Sequence, residues 1–153
     1  MMYVIHLKLR KRAMLASAAV VVMCICAAFL LPGCRSDAPE PILAATEEQR
    51  QAYLSDLGWS VNSTPVETMD LQLPQTLNEG WLEYAKLQDE QNLPFSNYAG
   101  QPVRRFTYTV TNYPGIPQGV QINLYVCEDQ LIGGDVISLG ENGFQTGLSF
   151  PQT

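Results

Sequence analysis

The sequence predicts an α+β fold: two layers, with an antiparallel β-meander of three to four strands covered by one or two helices. Three observations predict it. A helix-capping sequence stands at Thr46-Glu47-Glu48-Gln49. Three strand-length stretches between Val103 and Leu139 alternate apolar and polar residues. A turn region and a tight turn are all that separate them, so consecutive strands pair antiparallel and bury one apolar face. The expected organisation is a leader over residues 1–33, a tether over 34–45 and one α+β domain over 46–151.

The leader comes first. Lys8, Arg10, Lys11 and Arg12 form a basic cluster, and the next 19 residues, Ala13 to Leu31, are apolar except for Ser17. A basic region followed by an apolar run is the secretory pattern. Leu31-Pro32-Gly33-Cys34 then resembles a lipobox, the site at which bacterial lipoproteins are lipidated and cleaved. A small residue before the cysteine lets the peptidase reach the bond, and the thiol receives the diacylglyceryl group. Gly33, Cys34 and Leu31 fit; Pro32 departs from the more usual small or hydroxyl residue. The alternative is an uncleaved anchor helix, with Cys34 incidental. Both readings keep the basic cluster on the cytoplasmic side and place the remaining chain outside the cell membrane.

The tether, Arg35 to Ala45, holds Pro39 and Pro41 and lacks periodicity. In the domain, Thr46 can accept from the third backbone N–H of a helix while Gln49 reaches back. Tyr53, Leu54 and Leu57 share one face of that helix, and Gly58 ends it. Leu71 and Leu73 alternate into a short strand stopped by Pro74. A second helix is expected over Gln75 to Gln91, with Leu77, Trp81, Tyr84 and Gln88 on one face. Strands follow over Val103–Asn112, Gly119–Cys127 and Gln130–Leu139, with Ile132 and Val136 assigned to one face of the last. Phe144 to Phe150 offers an additional edge strand. The Trp81/Tyr84 face is the expected cover for the apolar face of the meander.

Charge and residue inventory exclude several chemistries. Four of the nine basic residues lie in the leader and all fifteen acidic ones lie beyond it, leaving the chain from Cys34 onward at −10. Such a chain lacks the basic stripe of a nucleic-acid binder. The only histidine, His6, is in the leader, which removes histidine-based triads, general bases and zinc sites from the exported part. Lys86 is the only lysine there, and no serine motif stands near it. No phosphate-cradling glycine loop is present. No cofactor or metal is expected. Cys127, the one cysteine left after Cys24, Cys26 and Cys34, reads as a small buried hydrophobe rather than a nucleophile.

Gly133-Gly134-Asp135 is the most unusual local feature. Paired glycines in a strand mark a bulge or a close approach to the backbone. Either an aromatic side chain such as Trp81 packs over them, or a ligand approaches there with Asp135 as acceptor. Arg105, with Thr107, Thr109, Gln121 and Asn123, marks the polar face of the meander as a candidate interaction surface.

The domain resembles a family of bacterial proteins, mostly from Firmicutes, known as the domain of unknown function 4830 family. The resemblance rests on an ordered set of pieces: Thr46 to Arg50, Leu57-Gly58-Trp59-Ser60-Val61, Tyr98 to Val103, Tyr108 to Pro114, Ile132-Gly133-Gly134-Asp135-Val136 and Gly143-Phe144. It implies a lipoprotein-like or anchored N-terminus and no known activity. Members commonly carry a cysteine just after the Gly-Gly-Asp-Val piece and a histidine near the C-terminus. Here those places hold Ile137 and, approximately, Thr146, which undermines a metal or thiol role built on them.

Two functions are compatible with this sequence. One is a non-enzymatic binding or regulatory module of the cell envelope, held to the membrane by lipid on Cys34, with an envelope protein as its partner and no role for nucleic acid. The other is a small envelope hydrolase working through carboxylates such as Asp135 and Glu128.

Overall fold

The computed structural model describes residues 40–140 and 143–152. The leader and Cys34 lie outside the described residues. The folded unit spans Pro39–Thr153. Among the described residues two helices, α1 (Glu47–Asp56) and α2 (Glu79–Asp89), accompany five strands. These are β1 (Glu67–Gln72), β2 (Pro102–Thr109), β3 (Val120–Cys127), β4 (Gln130–Ser138) and β5 (Gln145–Thr146). They form one antiparallel sheet in chain order, so the fold is α+β with a meander at its centre. No helix among the described residues is long and apolar enough to cross a membrane.

α1 begins as its sequence dictates. The Thr46 hydroxyl accepts from the Gln49 N–H at 3.3 Å, and the Gln49 side chain accepts from the Thr46 N–H at 3.1 Å. Gly58, at φ +93°, lets the chain turn out of the helix. α2 is shorter than its apolar pattern suggests, because Asn78 caps it by accepting from Trp81 N–H. The strand expected near Leu71 and Leu73 lies further upstream, over Glu67–Gln72. β1 is exposed at nearly every position, so it carries no apolar alternation to read.

The two helices lie on opposite faces of the sheet. Leu54 of α1 packs with Tyr108, Ile122, Leu124 and Val136. Ala85 of α2 packs with Val103, Tyr125, Cys127 and Ile132. Leu124 and Tyr125 are neighbours in β3, so their side chains point to opposite faces. α2 therefore does not cover the apolar Val120/Ile122/Leu124 face; α1, Trp59 and Leu148 do. The Trp81/Tyr84 face instead covers the side of the sheet that carries Tyr125 and Asp135.

Ile132 and Val136 also part company. The register of β3 with β4 shifts between Tyr125 and Val126, so Tyr125 faces Gly133 while Val126 faces Leu131. The extra residue is Ile132. A bulge reverses the alternation, which places Ile132 in the α2-side cluster and Val136 in the α1-side cluster.

The folded region begins earlier than the capping box. Leu131 N–H donates to the Ile42 carbonyl at 2.8 Å, Ala44 N–H donates to the Asp129 carbonyl at 2.9 Å, and Leu43 bridges Gln130. Arg50 Nη1 donates to the Ala44 and Ala45 carbonyls, each at 2.8 Å. The last residues assigned to the tether are thus part of the domain. Nothing in their own composition signals this, because their partners lie far along the chain.

Candidate functional site

The polar face of the meander is partly closed. Thr107, Asn123 and Asp135 lie in one row across β2, β3 and β4, and all three are buried. The Thr107 hydroxyl donates to Asn123 Oδ1 at 2.8 Å, which is how two polar side chains can lie inside a fold. Thr109, Gln121 and Arg105 are half-buried. The expectation of an open sheet face is therefore corrected: its central row faces inward.

The two glycines do not share one open surface. A Cβ on Gly133 would stand 2.8 Å from Phe95 Cδ2, and one on Gly134 would stand 2.6 Å from Leu148 Cδ1. Gly133 faces α2 and Gly134 faces the α1-side core. The aromatic over Gly133 is Phe95, from the 3-10 turn Phe95–Tyr98, and Trp81 stacks on Phe95 with ring centroids 5.7 Å apart. The glycines thus admit hydrophobic side chains to the sheet backbone.

Asp135 is 2% exposed. Its Oδ1 accepts from the Tyr84 hydroxyl at 3.1 Å and its Oδ2 from Gln145 Nε2 at 2.8 Å. Burial raises its pKa above the usual carboxylate value, against the opposing effects of Gln145, Tyr84, Asn123 and the Arg105 charge. The Tyr84 hydroxyl is pushed well above its usual value, first by burial and then by the Asp135 charge. Both hydrogen-bond donors to the carboxylate are neutral. Arg105, the nearby cation, spends its Nη2 on Glu67 at 2.5 Å, while its Nε is buried without a partner.

Tyr84 and Gln145, which donate to this carboxylate, also line a shallow groove of about 530 Å³ with Asn78, Gly80, Trp81, Glu83 and Leu87; Asp135 itself lies behind them. The sequence puts Tyr84 on an apolar helix face and does not mark Gln145 at all. The phenolic oxygen was the available signal for Tyr84, since a buried tyrosine hydroxyl normally seeks a partner. Gln145 carries no such local signal.

Glu128 is not near Asp135. Asp135 sits opposite Asn123, and Glu128 lies five residues further along the chain, about 17 Å at strand spacing. Cys127 is buried on the α2 side, with Sγ 3.4 Å from the Pro102 carbonyl, and burial raises its thiol pKa. Among the described residues no group of three or more histidine, cysteine, aspartate or glutamate side chains is placed to hold a metal ion.

Comparison with family models, curated proteins and solved structures finds no match.

Proposed function

We propose that this chain is a lipoprotein anchored at the outer side of the cell membrane, whose folded unit is a non-enzymatic binding or regulatory module of the envelope. The observation that carries the reading is the leader itself: a basic cluster, an apolar run of 19 residues, and Leu31-Pro32-Gly33-Cys34 immediately after it. Two acyl chains on one cysteine are enough for stable anchoring.

The position of the first secured residues adds a geometric consequence. Ile42 is eight residues beyond Cys34 and its carbonyl is already bonded to β4. Eight residues reach at most about 28 Å when fully extended. A lipid on Cys34 would thereby limit how far the domain can stand from the membrane surface. A module of this kind acts on partners within the envelope rather than on distant soluble ones.

The separation of Asp135 from Glu128 supports a binding role over hydrolysis by that pair, since glycosidase carboxylates stand less than about 10 Å apart. The test is lipid attachment. In the native host, wild type should incorporate labelled palmitate and fractionate with membranes, while Cys34→Ala should take up no label and lose its mature-size form. Unchanged labelling and fractionation of Cys34→Ala would overturn the reading.

A further inference from the structure

We propose that the groove between α2 and β5 binds a primary alkylammonium group, received by the Asp135 carboxylate when Gln145 swings aside. The proposal gives the binding reading above its ligand chemistry and rests on it, though not on the lipid anchor.

Three observations carry it. The first is an electrostatic mismatch. Asp135 is almost fully buried, yet among the described residues only neutral groups donate to it. A buried carboxylate is costly without a counter-charge, and hydrogen bonds from neutral groups offset only part of that cost. The local cation fills the role only in part: the Arg105 charge favours ionised Asp135, but its Nη2 is directed to Glu67 rather than to Asp135.

The second is access. Tyr84 and Gln145, the two donors to Asp135, are also walls of the groove. Gln145 is exposed and sits on a two-residue strand held by only two register pairs, Val136 with Thr146 and Ile137 with Gln145. It can be displaced without opening the core. Tyr84, by contrast, is fixed by rings on two sides, Phe95 at 5.0 Å and Tyr125 at 5.4 Å between centroids.

The third is the chemistry of the walls. Among the described residues the only charged one in the lining is Glu83, and none is lysine or arginine. Trp81 and Tyr84 supply aromatic rings meeting edge to face, 6.0 Å between centroids. Acidic groups beside aromatic rings are the pairing that recognises organic cations. The second groove on the domain, beside Asp70, lacks this character, because Arg104 already occupies that carboxylate at 2.6 Å.

An ammonium group entering from the α2 side would donate to Asp135 Oδ2 in place of Gln145 Nε2, with its alkyl stem along Trp81 and Leu87. Gln145 is then an internal competitor, and its removal should strengthen binding.

The experiment uses the full-length chain in detergent, labelled with ¹⁵N, titrated with n-butylammonium and separately with uncharged 1-butanol at constant ionic strength. Butylammonium should give saturable shifts at the Trp81 indole N–H and the Gln145 amide, and 1-butanol should give none. Asp135→Asn should weaken binding by about tenfold or more, as loss of a charged partner does, and Gln145→Ala should tighten it. Absence of a saturable response, equal binding of 1-butanol, or unchanged or weaker binding by Gln145→Ala would overturn the proposal. Gln145 is exposed, so this variant decides the matter even where Asp135→Asn fails to fold. A negative result here leaves palmitate labelling at Cys34 as an independent question.

Discussion

Arg50 Nε donates to the Tyr108 hydroxyl at 2.8 Å, so a helix charge and a sheet phenol meet inside the α1-side core. Arg50 is 5% exposed. Its remaining donors reach the Ala44 and Ala45 carbonyls and Glu47, and its guanidinium lies 3.7 Å above the Phe106 ring. One side chain therefore joins α1, β2 and the segment through which the chain enters the domain. Arg50→Ala would leave two carbonyls and a phenol oxygen without this donor, and would take from Glu47 its charged partner while the Tyr108 hydroxyl and Gln51 Nε2 still donate to it. Breaking such a buried network costs about 3–5 kcal/mol. Chemical unfolding should show a loss of that size, with increased hydrogen exchange at Ala44.

The same pair sets the alkaline limit of stability. Burial pushes the Tyr108 hydroxyl from its usual 10 up to about 12, against the opposing influence of Arg50. The folded state therefore holds this proton more tightly than the unfolded chain. Its contribution is fully present below pH 10 and is lost as pH rises from 10 through 12. Tyr84 and Tyr125 are shifted in the same direction, also chiefly by burial. Thermal melts should fall steeply above about pH 10, and Tyr108→Phe should flatten that fall.

The two glycines of β4 should differ in what they tolerate. A methyl group on Gly134 would meet the Asn123 carbonyl at 2.9 Å as well as Leu148, and the sheet backbone cannot retreat. A methyl group on Gly133 meets only side chains, Phe95 and Gln88. Overpacking costs about 1–3 kcal/mol. Gly134→Ala should fall at the upper end of that range and Gly133→Ala at the lower end, read by urea midpoint.

Gln91 fastens the C-terminal segment. Its Nε2 donates to the Leu87 and Gly134 carbonyls, and its Oε1 accepts from Leu148 N–H. Leu148 also gives its carbonyl to the Trp59 indole at 2.7 Å. Gln91→Leu should leave Leu148 N–H and Gly134 C=O unpaired, at about 1–3 kcal/mol for each buried group. Hydrogen exchange should quicken at Leu148 while the β2–β3 amides keep their protection.

Part of this architecture could be read from the chain. The capping box at Thr46, the stop at Gly58 and the three alternating strands are local patterns, and local patterns fix local structure. The α+β class followed from them. The placement of α2 did not, because it turns on which sheet face each helix takes. The face that looks solvent-exposed by its Thr107 and Asn123 is buried in its central row, where Asp135 joins them, through partners 10 to 51 residues away. Simple alternation puts Ile132 on the same face as Val136, whereas the bulge changes parity without leaving a mark in composition. At the site, Asp135 stood out beside two glycines, but Tyr84 and Gln145 reach it only in the folded chain.

Cys34 is proposed as the lipid-bearing first residue of the mature protein. This proposal is tested most directly by mass spectrometry of the N-terminus of protein extracted from host membranes. The expected chain begins at Cys34 and carries a diacylglyceryl group on its sulfur, with residues 1–33 gone. An intact chain that begins at Met1 and retains an unmodified Cys34 would contradict it.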